Sequence, residues 1–240
     1  MAFKHGTATK VYYHSVDMSD YVEEVEPSLE RELAEYAPLS ASWKSSLPGL
    51  RSMTLALTGL YNAEDGGSAD LAWARFDAST KGIFALLPDG DVDTYDCYVG
   101  EGFSDSHSVP TSATDIVRLP VGVVGSDNVD RAVVIHALAE ETASGSGTGV
   151  DNTAATALGC RAYLICTDLD ATSLDVTLED SPNNLDWTLL ATFTQLLAVG
   201  SEMQEVAAAA TTPDRYVRVT YVLTGGNTSA TFFVAWIRLS

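Results

Sequence analysis

Basic residues are scarce in this chain. Thirteen Lys and Arg stand against thirty-three Asp and Glu in 240 residues, a formal charge of −20. Binding to nucleic-acid phosphates requires Lys and Arg to neutralise them and release counterions, so a chain this acidic does not hold DNA or RNA by the backbone. Cysteine is rarer still. Cys97, Cys160 and Cys166 are an odd set, which does not suggest a disulfide framework. Cys160 and Cys166 end the strand-like run GCRAYLIC, and six residues of strand span about 20 Å, too far for a bridge. All three are expected as reduced thiols used as small core residues. Long apolar runs are missing too: runs such as 206–210 and 132–135 fall far short of a bilayer-spanning length. The opening MAFKHGTATK lacks the apolar centre of a secretory signal, so synthesis in the cytoplasm as a soluble chain is expected.

What is present is apolar material in short alternating runs. Hydrophobic residues make up 46% of the chain, enough for a packed core. In the C-terminal part LDVTLEDS, RYVRVTYVL and ATFFVAWIR alternate with period two, and RAYLIC is a further strand candidate. Turn signals at SPNN (181–184), TTPD (211–214) and GGN (225–227) separate them. This is the pattern of a small antiparallel sandwich. The N-terminal part predicts strands over 10–16, 52–61, 82–87, 94–99, 115–124 and 131–138. One helix is predicted over 68–78, capped by Ser68 or Asp70, with Leu71, Ala72, Arg75 and Phe76 at helical spacing. The fold class expected is mainly β: a β-sandwich or barrel with one packed helix, then an antiparallel β-sandwich. The Gly/Ser/Thr-rich run at 139–159 reads as flexible. The expected organisation is therefore 1–142 as one domain, 143–158 as a linker and 159–240 as a second domain.

The segment between the first two strand candidates is unusual. It is polar and acidic, has little obvious strand character, and allows a short helical turn at 30–36. Connectors this long in compact domains usually have a function or are disordered.

No motif carries catalytic chemistry. DGDVDTYD (89–96) fails as a calcium loop, because Thr94 stands where Gly is required and Gly100 where a bidentate Glu belongs. Asp168, Asp170 and Asp175 read as a solvated turn. His5, His14, His107 and His136 show no zinc-site spacing. GSGTG (145–149) lacks the strand and helix that flank a nucleophile elbow, and neither a Walker A sequence nor a dinucleotide fingerprint occurs. No enzyme, cofactor or metal is expected. Trp187 can serve as a sugar platform or pack inward with Leu189, Leu190 and Phe193, and inward packing is the commoner use.

The segment after the first strand carries a resemblance. D-x-S-x-Y (Asp17, Ser19, Tyr21) is followed by an acidic stretch. Then comes W-K-x-x-L-P-G-L-x-x-x-T-L-x-L-T-G-L-Y at Trp43, Lys44, Leu47, Pro48, Gly49, Leu50, Thr54, Leu55, Leu57, Thr58, Gly59, Leu60 and Tyr61. Together these resemble the major tail tube proteins of long-tailed, non-contractile bacteriophages, over residues 8–138. Residues 159–240 are similar to the β-sandwich appended to some actinobacterial-phage tail proteins. The resemblance implies six-membered rings that stack into a tube, an inner β-barrel around a channel, and a virion location after assembly in the host cytoplasm. It implies as partners other copies of the chain, the tape measure, tail terminator and distal tail proteins, and genomic DNA that passes without specific binding. It also implies an arm at 27–46 that reaches a neighbouring ring, with Leu29, Leu33, Tyr36, Leu39 and Trp43 as apolar anchors. Acids lining the channel would let DNA slide, and Asp93, Asp96 and Asp115 are the strand candidates for that role. The rival reading is a capsid decoration or carbohydrate-binding adhesin.

Overall fold

The computed structural model describes residues 6–36, 43, 45–64, 67–207, 212–226 and 228–239, with only the backbone of Asp127. The fold is mainly β with antiparallel sheets and one α-helix among the described residues. In chain order the strands are β1 (Lys10–Tyr13), β2 (Val16–Asp17), β3 (Val22–Tyr36), β4 (Ser45–Leu60), β5 (Gly82–Leu87), β6 (Asp96–His107), β7 (Arg118–Glu141), β8 (Gly145–Ser146), β9 (Val150–Asp151), β10 (Gly159–Leu169), β11 (Ser173–Ser181), β12 (Thr188–Thr192), β13 (Gly200–Ala207), β14 (Tyr216–Thr224) and β15 (Ala230–Arg238). The helix α1 (Ser68–Asp77) lies between β4 and β5.

The chain divides into two compact units: residues 1–20, 82–101 and 130–240 form the first, and 21–81 with 102–129 the second. This is not the expected division at 142 and 158, and β15 supplies the reason. It pairs with β10 on one side and with β7 on the other, from Ala230 opposite Glu141 to Trp236 opposite Val133. Both of its faces are buried. Phe232, Val234 and Trp236 join Cys160, Ala162, Leu164 and Cys166 of β10 in one core with Leu174, Val176, Leu178, Val217 and Val219 of the second sheet. Phe233 and Ala235 join Tyr163 and Ile165 in another, with Tyr12, Ile83, Ala85, Leu87, Cys97 and Val99 from the N-terminal strands. The near-continuous apolar runs of β10 and β15 are what burial on two faces demands. A side chain such as Phe233, fully buried there, contributes about 1.5–3 kcal/mol. The second sheet runs β12-β11-β14-β8, with β9 also on β14. The stretch read as a linker thus carries β8 and β9, both paired with β14, and buries Val150. All three cysteines are free and buried.

The D-x-S part of the opening motif is a turn. The Asp17 carboxylate accepts from the Ser19 amide at 2.9 Å, and the Ser19 hydroxyl accepts from Val11 N at 3.0 Å. These bonds finish the β1–β2 hairpin.

In the second unit β4 lies between β3 and the first half of β7, with Leu55 opposite Val123 and Leu57 opposite Val121. Met53, Leu55, Leu57, Leu119, Val121 and Val123 are buried on the shared face. Residues 30–36, expected as a helical turn, are strand: Glu30 opposes Ser52 and Tyr36 opposes Ser45. The helix starts at Gly67 without a side-chain cap. A Cβ at Gly67 would lie 2.7 Å from the Asn62 carbonyl, so a capping side chain has no room. Ser68 instead accepts from Asn62 N at 2.9 Å and donates to Leu60 O at 2.6 Å, which ties the helix to the end of β4.

Candidate assembly surface

β7 pairs with β4 only from Thr54 to Leu60. Beyond Thr54 the β3–β4 hairpin continues to Tyr36 and Ser45 with no third strand among the described residues, about 30 Å at the rise of a strand. Residues 45–52 of β4 and 28–36 of β3 are all exposed. A two-stranded ribbon of this kind is marginally stable in water.

Its two faces differ in chemistry. Strand alternation and the register put Val25, Pro27, Leu29, Arg31 and Leu33 of β3 on one face, with Leu57, Leu55, Met53, Arg51 and Pro48 of β4 opposite them. This face is continuous with the core of the second unit. The other face carries Glu24, Glu26, Glu30 and Glu32, opposed by Thr58, Ala56 and Ser52 where the register is regular. A bulge interrupts the ladder between Arg31 and Leu33. Gly49 sits at the bulge, where an added Cβ would stand 3.1 Å from the Glu32 Cβ.

Of the expected anchors, Leu29, Leu33, Tyr36 and Trp43 are solvent-exposed, Trp43 most of all at 84%. Leu39 lies outside the described residues. Leu47 and Leu50, not singled out as anchors, are also exposed on the ribbon. The signal that β3 is a strand was present: the acids at 24, 26, 30 and 32 alternate with Val25, Leu29 and Leu33. Proline and the high acid content concealed it.

The three candidate channel acids are dispersed. Asp93 lies in a turn, where it accepts from Ala137 N at 2.8 Å. Asp96 begins β6 and pairs with Arg131. Asp115 precedes β7 rather than lying in it. The Ile116 amide and then Arg118, 2.9 Å away, hold its carboxyl below the usual range. Arg118 also pairs with Glu23 at 3.1 Å.

Other candidate sites resolve into structural roles. His136 is buried, stacks on Phe232 at 4.3 Å between ring centres, and lies 3.3 Å from Glu141. Arg218 covers the Trp187 ring at 4.3 Å, and Gly149 approaches its edge closely. One face of that half-buried ring is therefore covered by the protein's own side chain. No cluster suited to a metal ion occurs among the described residues.

On α1 the buried residues are Ser68 and Ala72. Phe76, one helical turn from Ala72, is 40% exposed, and Trp73 is 56% exposed. The rings of Trp73, Phe76 and His107 pack together at 5.5–6.1 Å.

No family model matches the sequence, and no curated protein matches it. Among solved structures, the chain is similar to a chain from the tail of an empty gene transfer agent particle refined with C6 symmetry. The TM-score is 0.44 at 13% identity, covering 54% of this chain and 98% of that one. It is also similar to the Dit protein of phage SPP1, described as a paradigm of the hub adsorption apparatus (TM-score 0.37, 13% identity, 96% and 99% covered). A chain of the phage p2 baseplate in its activated conformation gives a TM-score of 0.37 at 8% identity, with 96% and 98% covered. These likenesses are too weak to assign a role.

Proposed function

We propose that this chain is a structural protein of a phage tail, a tube-type subunit that assembles with copies of itself. The observation that carries the reading is the two-faced ribbon. Its apolar face continues a buried core into solvent, as an interface that a neighbour completes. Among the described residues both long edges are open to pairing: β3 pairs only with β4, and β4 beyond Thr54 pairs only with β3. The two edges carry different charge. β3 holds Glu23, Glu24, Glu26, Glu30, Glu32 and Glu35 against the single base Arg31, whereas residues 45–53 of β4 hold Arg51 and no acid. Acid against acid disfavours β3 on β3, and β3 of one copy beside β4 of the next is favoured. Repeated around a ring, that pairing closes a barrel of alternating strands.

In such a barrel the apolar face turns outward and the glutamate face turns to the channel. Glu24, Glu26, Glu30 and Glu32 then repel the DNA backbone and keep it from adhering. They suit that role better than Asp96 and Asp115, whose charges are compensated by Arg131 and Arg118. The second sheet, β12-β11-β14-β8, would lie on the tube exterior, with the other tail proteins as end partners. The resemblance of the motif at 43–61 supports the same reading, and six copies per ring follows from it. The role is mechanical rather than enzymatic.

Electron microscopy of the concentrated, purified protein tests this. Rings or tubes of uniform bore are expected. A monodisperse monomer that binds glycans would favour the adhesin reading instead.

A further inference from the structure

Arg31 and Arg51 stand directly opposite one another at the centre of the ribbon's apolar face, between the Leu29–Met53 and Leu33–Pro48 rungs. Directly opposed like charges destabilise an antiparallel pair. Neither arginine has an ion pair among the described residues. The face therefore has two requirements: apolar cover for Leu29 and Leu33, and a carboxylate for the arginines.

The same unit presents matching chemistry on α1. At 100° per residue, Asp70, Trp73, Phe76 and Asp77 fall within about a third of the helix circumference. The Trp73, Phe76 and His107 rings hold each other in place and form a fixed aromatic platform. Asp77 lies exposed beside it. Tryptophan and phenylalanine cover leucine well, and a tryptophan face also attracts a guanidinium.

We propose that, in the assembled protein, the Leu29–Arg31–Leu33 face of one copy seats on the Trp73–Phe76 face of α1 in a second copy, with Arg31 and Arg51 directed at Asp77. This rests on the self-assembly reading above and adds the surface that receives the ribbon. The contact joins two different patches of one chain, so it is heterologous and propagates into rings or filaments rather than closing as a two-fold dimer. Packing this face against the same face of another ribbon, the alternative to the helix, would bring four guanidinium groups together in an apolar seam without a carboxylate on that rung. Charge complementarity therefore selects the helix.

Two variants of the full chain test this, Leu33→Cys and Trp73→Cys. Both positions are exposed and the native thiols are buried, so oxidation reads the introduced pair. A disulfide-linked dimer is expected when the two variants are mixed and is not expected from either alone. Dimers from Leu33→Cys alone would overturn the helix as receptor. A second arm uses charge. Arg31→Glu with Arg51→Glu is expected to weaken self-association by about tenfold or more, as is Asp70→Arg with Asp77→Arg, and mixing the two double variants restores it. Undiminished association of the arginine variant would overturn the docking while leaving self-assembly standing. A wild-type protein that stays monomeric at its highest soluble concentration would overturn both.

Discussion

Leu29 and Met53 face one another on a single rung of the β3–β4 ribbon, yet Met53 is 2% exposed and Leu29 57%. The edge of the second unit's core runs between them. On one side the apolar row Met53, Leu55 and Leu57 is sealed, and on the other the row continues through Leu29 and Leu33 into water. That exposed row is interrupted by the Arg31–Arg51 rung and resumes at Leu33.

Substitution in β15 tests the two-sided burial directly. Phe232 and Phe233 point to opposite faces, and both are fully buried. Phe232→Ala and Phe233→Ala are each expected to lower stability by about 3–5 kcal/mol in urea unfolding. A β15 with one solvated face would make Phe233→Ala nearly silent.

The same geometry bears on truncation. A fragment ending at residue 142 loses β10 and β15, and with them Tyr163, Ile165, Phe233 and Ala235 from the core that covers Tyr12, Ile83 and Val99. The fragment is expected to show no cooperative thermal transition by circular dichroism. A sharp transition would establish 1–142 as a self-standing domain.

These contrasts show what the sequence made legible. Period-two alternation located β11, β14 and β15 closely, and the expected 82–87 strand coincides with β5, because burial pattern and strand period are tied residue by residue. Alternation in ATFFVAWIR does not reveal that both sets of side chains are buried, since that depends on which strands lie above and below. The sandwich therefore looked separable. Gly and Ser at 145–149 suggested flexibility, but β8 and β9 are held by backbone bonds to β14 that composition does not encode. The apolar positions of the ribbon, Leu29, Leu33 and Tyr36, were legible in the sequence. The ribbon's strand character was not, because Pro27 and the glutamates are unfavourable in strands unless they lie at an edge.

One ion pair gives a pH signature. Arg215 bonds to both Asp151 oxygens, at 2.6 and 2.7 Å, and holds that carboxyl at about 2, below its ordinary value. A folded-state pKa below the unfolded one stabilises the protein above the unfolded value and loses that contribution as pH falls through the folded one. The pair is exposed, so the effect is small. The gap in urea midpoint between wild type and Asp151→Asn is expected to stay constant down to about pH 5 and to close between about pH 4 and pH 2. A gap that persists unchanged at the acid end would mean the pair contributes nothing through its charge.

Self-association driven by the ribbon's apolar face is measured by sedimentation velocity of the wild type beside the Leu29→Glu, Leu33→Glu double variant. Both leucines are exposed in the single chain, so the variant keeps the wild-type melting temperature. The wild type is expected to sediment as rings or longer species at high concentration while the variant remains a monomer. Equal association of the two proteins, with equal melting temperatures, would mean that this face does not drive assembly.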